Sequence, residues 1–263
     1  MSVTFRQVAA FTNKPFAGNP AAVCLLTEPG EEEWLRKIAQ ELNLPATAFI
    51  YPEEDYFNLR WFTATAELEL CGHGTLASAY VLYETGQIAP DTSIRFKTRS
   101  GFLSASRKND WIELNLPSEP AQPVTAPPEL LQALGVQPRF VGKSRMDYLI
   151  EVESETELLS LRPDFALLKT VPTRGAIVTT RATSSEYDIV SRFFCPSVGL
   201  NEDQVTGSAH CTLAPYWLEK LGKSDLRAYQ ASACGGTLQL RQEDGRIYLA
   251  GQAITIISGE LAI

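Results

Sequence analysis

Basic residues are in short supply in this 263-residue chain: 23 Lys and Arg stand against 31 Asp and Glu, a formal net charge of −8. A surface of that sign repels polyanions, so neither nucleic acid nor an anionic membrane is an expected partner. Long apolar runs are missing as well; no segment approaches the roughly 18 consecutive residues of a membrane span. The opening MSVTFRQVAAF alternates like a strand and lacks a secretory apolar stretch, which makes the cytoplasm the expected compartment. Cysteine is scarce and scattered: Cys24, Cys71, Cys195, Cys211 and Cys234 are an odd number without a CxxC, so no disulfide framework or zinc ribbon is expected. No GxGxxG follows a strand, and GxxxxGK and GxSxG are absent, which removes dinucleotide, P-loop and hydrolase-elbow chemistry. What the chain does have is a 44% hydrophobic fraction, ample for ordinary cores. Its length corresponds to about two domains.

Pro117 to Pro128 reads PSEPAQPVTAPP, five prolines in twelve residues without apolar periodicity, which predicts an extended, poorly hydrogen-bonded connector. It separates two expected lobes, 1–117 and 118–263. Across it the sequence resembles itself at an offset of 135: Gly72 matches Gly207, Ala79 Ala214, Glu84 Glu219, Gly101 Gly236, Leu103 Leu238, Ile112 Ile247 and Leu114 Leu249. Upstream, Arg60-Trp61-Phe62 corresponds to Arg192-Phe193-Phe194 at an offset of 132, the difference falling near Asn201-Glu202-Asp203. In each half a strand rich in aromatic and branched residues runs through a loop into a helix, GTLASAYVLY from Gly74 and AHCTLAPYWL from Ala209. The first has no charge on any face and the second only His210, so both are expected to be buried. Short alternating runs follow each, with turn signals at KND and EDG, and EEEWLRKIAQEL (31 to 42) reads as a more exposed helix. The expected class is α+β: a mostly antiparallel sheet curled around one apolar helix, made twice.

Two such lobes are expected to present their helix starts, Cys71-Gly72-His73-Gly74 and Thr206-Gly207-Ser208-Ala209, to a shared cleft. N–H groups at a helix start favour negative charge, and glycine lets a ligand approach the backbone, so the expected guest is a small carboxylate. Gly72, Gly74 and Gly207 read equally as plain turn residues. Cys71, in the first turn beside His73, has a setting that lowers a thiol pKa, although most free cysteines are small buried apolar residues. His73 reads as a proton relay or carboxylate contact, or as a hydrogen-bonded structural imidazole. Asp203 serves catalysis or complements the following helix start. Arg60 and Arg192, at matching places, either help hold an anion or lie on exposed strand faces. A zinc site from Cys71, His73, His210 and Cys211 has atypical spacing and is not expected, Cys211 reading as packing.

Four blocks carry a family resemblance: GNPAAV (Gly18 to Val23), NLPATAF (Asn43 to Phe49), RWFT…ELCGHGTLASA (Arg60 to Ala79) and EDQVTGSAHCTLAPYW (Glu202 to Trp217). In order and spacing they resemble the PhzF phenazine-biosynthesis-like isomerases. The resemblance implies a diaminopimelate-epimerase-like fold, a homodimer, no metal or organic cofactor, and a proton shift on a dihydro-hydroxyanthranilate. It marks His73, Asp203 and Ser208 as residues that contact substrate or assist proton movement and Asn19 as a cleft contact; with the helix-start reading, Gly18, Asn19, Gly72, Gly74, Thr206, Gly207 and Ser208 are expected to bind substrate, and His73 and Asp203 to be catalytic. Asn19 also reads as a residue holding a turn. The family's general base is a glutamate at the place occupied here by Ala46, which carries no proton. General acid–base catalysis typically contributes a factor of about 10²–10⁴, so the family reaction is expected to be lost or rerouted. Cys71 lies where related epimerases and racemases put one of two catalytic cysteines; the second falls at Thr206, too weak an acid to be its mate. The expected function is a proton shift on a small carboxylate by Asp203, His73 and Cys71. The alternative is a catalytically silent module that binds a small anion or a protein.

Overall fold

The structure is a computed structural model describing residues 2–262. Its chain folds as two compact units. The first runs to Leu116 and takes up the chain again from Tyr248; the second is Pro117–Ile247. Division after 116 lies one residue from the expected boundary, but the final segment does not stay with the second half.

In the first unit β1 (Ser2–Ala10) and β2 (Asn19–Leu25) form an antiparallel pair, followed by helix α1 (Glu32–Leu42). Strands β3 (Thr47–Pro52), β4 (Phe57–Phe62) and β5 (Glu67–Leu68) lead into α2 (Gly72–Glu84), then β6 (Ile94–Thr98), β7 (Gly101–Lys108) and β8 (Trp111–Pro117). β2–β3 and β4–β6 are parallel; β3–β4, β4–β5, β6–β7 and β7–β8 are antiparallel. α1 buries Leu35, Ile38 and Ala39 with Val3, Cys24, Phe49 and Phe62, while its opposite face carries i,i+4 pairs Glu32–Arg36 and Glu33–Lys37. α2 differs in kind: from Gly72 to Ala79 every residue is buried, as a helix without a polar stripe requires.

The second unit begins with the connector and repeats this plan. β9 (Gln122–Pro123) and α3 (Pro128–Leu134) precede β10 (Phe140–Lys143), β11 (Asp147–Glu151), α4 (Glu155–Ser160), α5 (Phe165–Leu168) and β12 (Gly175–Arg181). Then come β13 (Ile189–Cys195), a 3₁₀ turn at Pro196–Val198, β14 (Leu200–Asp203), α6 (Gly207–Leu221), β15 (Asp225–Gln230) and β16 (Gly236–Glu243). β10–β11 is antiparallel, β11–β12 parallel, β12–β13 antiparallel and β13–β15 parallel, the order of pairing seen from β1 to β6. β17 (Arg246–Gly251) straddles the boundary between units, and β18 (Ala253–Ala262) pairs antiparallel with β1, with Ala253 opposite Ala10. That pairing moves residues 248 onward out of the expected C-terminal lobe.

The connector is better anchored than its prolines imply. β9 pairs with β10, and Ser118 N–H donates to the Gly245 carbonyl. Glu119 N–H donates to the Cys211 carbonyl at 3.1 Å. That carbonyl faces Pro215, which has no N–H to give it, so the proline inside α6 frees an acceptor that the connector takes. Among the described residues no helix is long and apolar enough to cross a membrane.

Candidate active site

The start of α2 is packed around Trp61. This side chain lies on β4 opposite Ala48, and a Cβ placed on Gly74 would come within 2.7 Å of Trp61 Cδ1 and 2.9 Å of Cys71 Sγ. Glycine at 74 is therefore a steric requirement, whatever it does for a ligand. Cys71 is the N-cap, in extended backbone at φ −141° and ψ 98°, and its side chain makes no capping bond. Its carbonyl accepts Thr75 N–H and the Thr75 hydroxyl at 2.9 and 2.7 Å. An α-helix has no internal acceptor for its first N–H groups, here Gly72, His73 and Gly74, and no acidic side chain occupies the first turn. Cys71 Sγ stands 3.6 Å from His73 Nδ1. The Trp61 indole N–H is buried without an acceptor, an uncommon state for a polar group.

Ala46, just before β3, is fully buried, and its carbonyl accepts Ala22 N–H at 2.9 Å. Side chains alternate along a strand, so positions 46 and 48 share a face with Trp61, while Phe49 turns to the α1 side. Gly18, at φ +75°, leaves no room for a side chain: a Cβ would sit 2.3 Å from the Ala10 carbonyl oxygen. Asn19 opens β2 opposite Ala10 and is fully buried.

The second helix start has the same backbone. Thr206 is the N-cap at φ −114° and ψ 98°, again without a side-chain cap and with no acidic residue in the first turn. Its hydroxyl donates to Asp203 Oδ2 at 2.6 Å, its N–H to Gln230 Oε1 at 2.8 Å, and Gln230 Nε2 donates to the Asp203 carbonyl at 2.8 Å. Ser208, half-buried, accepts from Arg174 Nη1 at 3.0 Å. Arg174 is held in turn by a two-pronged ion pair with buried Asp147. Burial works against this guanidinium's charge, but Asp147 outweighs it and raises its pKa. One turn inside the helix, His210 is fully buried, with Nδ1 2.8 Å from the Thr206 carbonyl and Nε2 without a partner. Burial pushes its pKa down to about 4, against the pull of the Thr206 carbonyl.

A sequence profile described as phenazine biosynthesis-like protein matches residues 8–259. The chain belongs to the PhzF family. It is 51% identical over 264 residues to an uncharacterised isomerase of Halalkalibacterium halodurans, covering 100% of both chains. A crystal structure of a PhzF-family protein from Enterococcus faecalis superposes with a TM-score of 0.95 at 37% identity over 100% of both chains. At the level of fold alone, a probable proline racemase from Agrobacterium radiobacter matches with a TM-score of 0.61 at 12% identity, covering 99% of this chain and 93% of that one. The PhzF fold is thus the diaminopimelate-epimerase-like architecture that the resemblance implies, and its α+β class is the one the duplicated sequence predicts.

Within this PhzF chain each unit assembles its own share of the expected residues. Ala46, Cys71, His73, Gly72 and Gly74 belong to the first, with Gly18 and Asn19; Asp203, Thr206, Gly207 and Ser208 belong to the second. Arg60 and Arg192, read as anion holders or as residues of exposed strand faces, are both engaged in ion pairs. Arg60 is paired with Glu67 at 2.8 and 2.9 Å, and Arg192 with Glu202 at the same distances. The hydrogen bond from Arg60 holds the Glu67 carboxyl below its usual range. Burial pushes the thiols of Cys24 and Cys211 up to about 12, so both are packing groups. Among the described residues no group of three or more His, Cys, Asp or Glu is placed to hold a metal ion. Arg174, Asp147 and Gln230 do not stand out in the sequence. The register shared by the two halves supplies the missing signal: Arg60 lies opposite Phe49 and Arg192 opposite Val178, so Ala46 corresponds to Gly175 and Arg174 is its neighbour.

Proposed function

We propose that this chain is a cofactor-independent isomerase that moves a proton within a small carboxylate-bearing substrate. The observation that carries this reading is the Cys71–His73 couple, 3.6 Å apart at the N-cap and second residue of a buried helix. A thiol beside an imidazole exchanges protons readily, and a helix start stabilises the anionic partner. In this proposal the substrate carboxylate meets the N–H groups of a helix start. Cys71 or His73 removes a proton from a carbon of the substrate that lies next to a C=C bond, the electron pair spreads over that bond, and the proton returns to its far carbon as the double bond shifts. Within the second unit the candidate proton-transfer group is Asp203, its Oδ2 tied to Thr206. The test is exchange of substrate C–H for deuterium in D₂O over a panel of cyclic and amino carboxylic acids, with C71A and H73A expected to abolish it. Absence of exchange from every acid, in folded protein, overturns the proposal.

A second reading is favoured by one observation, the fully buried alanine at 46. With the family's carboxylate missing, the chain would bind a small anion or a protein without turning it over. Ala46→Glu separates the two: on the isomerase reading wild type already exchanges protons on some acid of the panel. On the silent reading turnover appears only in the variant, with a gain on the order of 10²–10⁴. The homodimer that the resemblance implies is likewise a proposal, checked by light scattering.

A further inference from the structure

We infer that Arg174 is a positioning residue that turns the Ser208 hydroxyl into a hydrogen-bond donor for the substrate carboxylate. The inference deepens the proposed function and rests on its reading of the α6 start as an anion site. A guanidinium has only donors, so at the 3.0 Å contact the serine oxygen must accept, and its own hydrogen is turned away from Arg174. Ser208 is the second residue of α6, where helical N–H groups lack internal acceptors, and it is only half-buried. A hydroxyl forced to donate beside such N–H groups presents one more donor to a carboxylate.

Arg174 is built not to move. Nε and Nη2 are both taken by Asp147, which is 1% exposed, and the Phe193 ring lies under the guanidinium with its centroid 5.2 Å away. The Ser197 hydroxyl binds the carbonyls of Thr173 and Arg174 at 2.9 and 2.7 Å and so fixes the backbone. A planar fork with two prongs on a carboxylate has its third donor direction fixed, and that direction ends on Ser208. The duplication places this arrangement at the position where chemistry sits in the other half. At the common offset of 135, Ser208 corresponds to His73, and the strand registers put Arg174 next to the equivalent of Ala46. The first unit thus presents an imidazole at this place in the helix, and the second a serine oriented from behind by arginine.

The test is titration of ¹⁵N-labelled protein with sodium benzoate, following the amides of Gly207, Ser208 and Ala209. Wild type is expected to show saturable shifts. Arg174→Lys keeps the charge but loses the fork, and Ser208→Ala loses the hydroxyl; each should raise Kd about tenfold, the value of one charge-assisted hydrogen bond. Because arginine acts through serine, the double variant should be no weaker than either single one, whereas Ser208→Thr should bind like wild type. A merely structural ion pair would lower the melting temperature without this non-additivity. If Arg174→Lys fails to fold, the contrast of Ser208→Ala with Ser208→Thr decides, and equal binding by the two overturns the inference. Double-variant weakening near the product of the singles, about a hundredfold, also overturns it. Saturable shifts unchanged by both substitutions remove this inference alone. No saturable shift in wild type removes the anion site with it.

Discussion

Acidification should destabilise this protein through one buried imidazole. His210 is fully buried, donates Nδ1–H to the Thr206 carbonyl at 2.8 Å, and has no partner at Nε2. Protonation would add a buried N–H with no acceptor, which is why burial lowers the pKa from 6.5 to about 4. The unfolded chain therefore binds a proton at higher pH than the folded one does. Stability from this group is complete above pH 6.5 and is lost as pH falls toward 4. A tenfold difference in proton affinity between the folded and unfolded chain corresponds to about 1.4 kcal/mol, so the full loss is about 3 kcal/mol, of which about 2 kcal/mol falls between pH 7.5 and 5. His210→Phe keeps the ring volume and removes both nitrogens, while the Thr206 carbonyl retains the backbone N–H of residue 210 at 3.3 Å. Urea midpoints at the two pH values, for wild type and variant, isolate the imidazole's contribution because all other titrations cancel in the difference. Wild type should lose about 2 kcal/mol more than the variant on going to pH 5. Equal losses would refute the assignment of His210 as a buried neutral imidazole.

Three further outcomes rest on packing and pairing. Gly74→Ala forces a methyl against Trp61 and Cys71 and should cost about 1–3 kcal/mol in urea unfolding, although alanine favours a helix. At the equivalent position Ala209→Gly should cost only about 1 kcal/mol of helix propensity and packing. Glu202→Gln removes one arm of a two-pronged pair with Arg192, whose Nη1 also binds the carbonyls of Leu158 and Leu161, and should cost about 2 kcal/mol, read as a lower melting temperature.

The duplication and the two apolar helices are legible in sequence because both depend on local rules. Glycine is needed where a helix opens against a packed ring, and a helix buried on all sides has no charge to display. The turns at KND and EDG are legible for the same reason, with Asn109, Asp244 and Gly245 taking the positive φ that hairpin turns require. Short elements between Pro128 and Arg181 are not, since helices as brief as α4 and α5 carry too few turns to show a period. The exchange of β18 into the first unit leaves no mark on its own residues, because an alternating strand does not name its neighbour. Arg174 is hidden for a related reason: its partners Asp147 and Ser208 lie 27 and 34 residues away in sequence.

On the proposed isomerase reading, the residues at the α2 start suit relocation of a proton better than inversion of a stereocentre. Inversion takes a pair of proton-transfer groups of comparable strength, one removing and one delivering. The first start carries Cys71 and His73 together. At the second, the residue equivalent to Cys71 is Thr206, whose hydroxyl donates to Asp203 and accepts from Gln230 Nε2 at 3.2 Å, so its donor and an acceptor site are already committed. A hydroxyl so engaged has neither the acidity nor the freedom to mirror a thiol. An amino acid carrying a single exchangeable α-proton should therefore take up deuterium without racemising, and chiral chromatography of the recovered acid should return one enantiomer. Racemisation at the rate of exchange would show that a second proton donor serves the reaction, a part for which the Thr206 hydroxyl, held by Asp203 and Gln230, is unsuited.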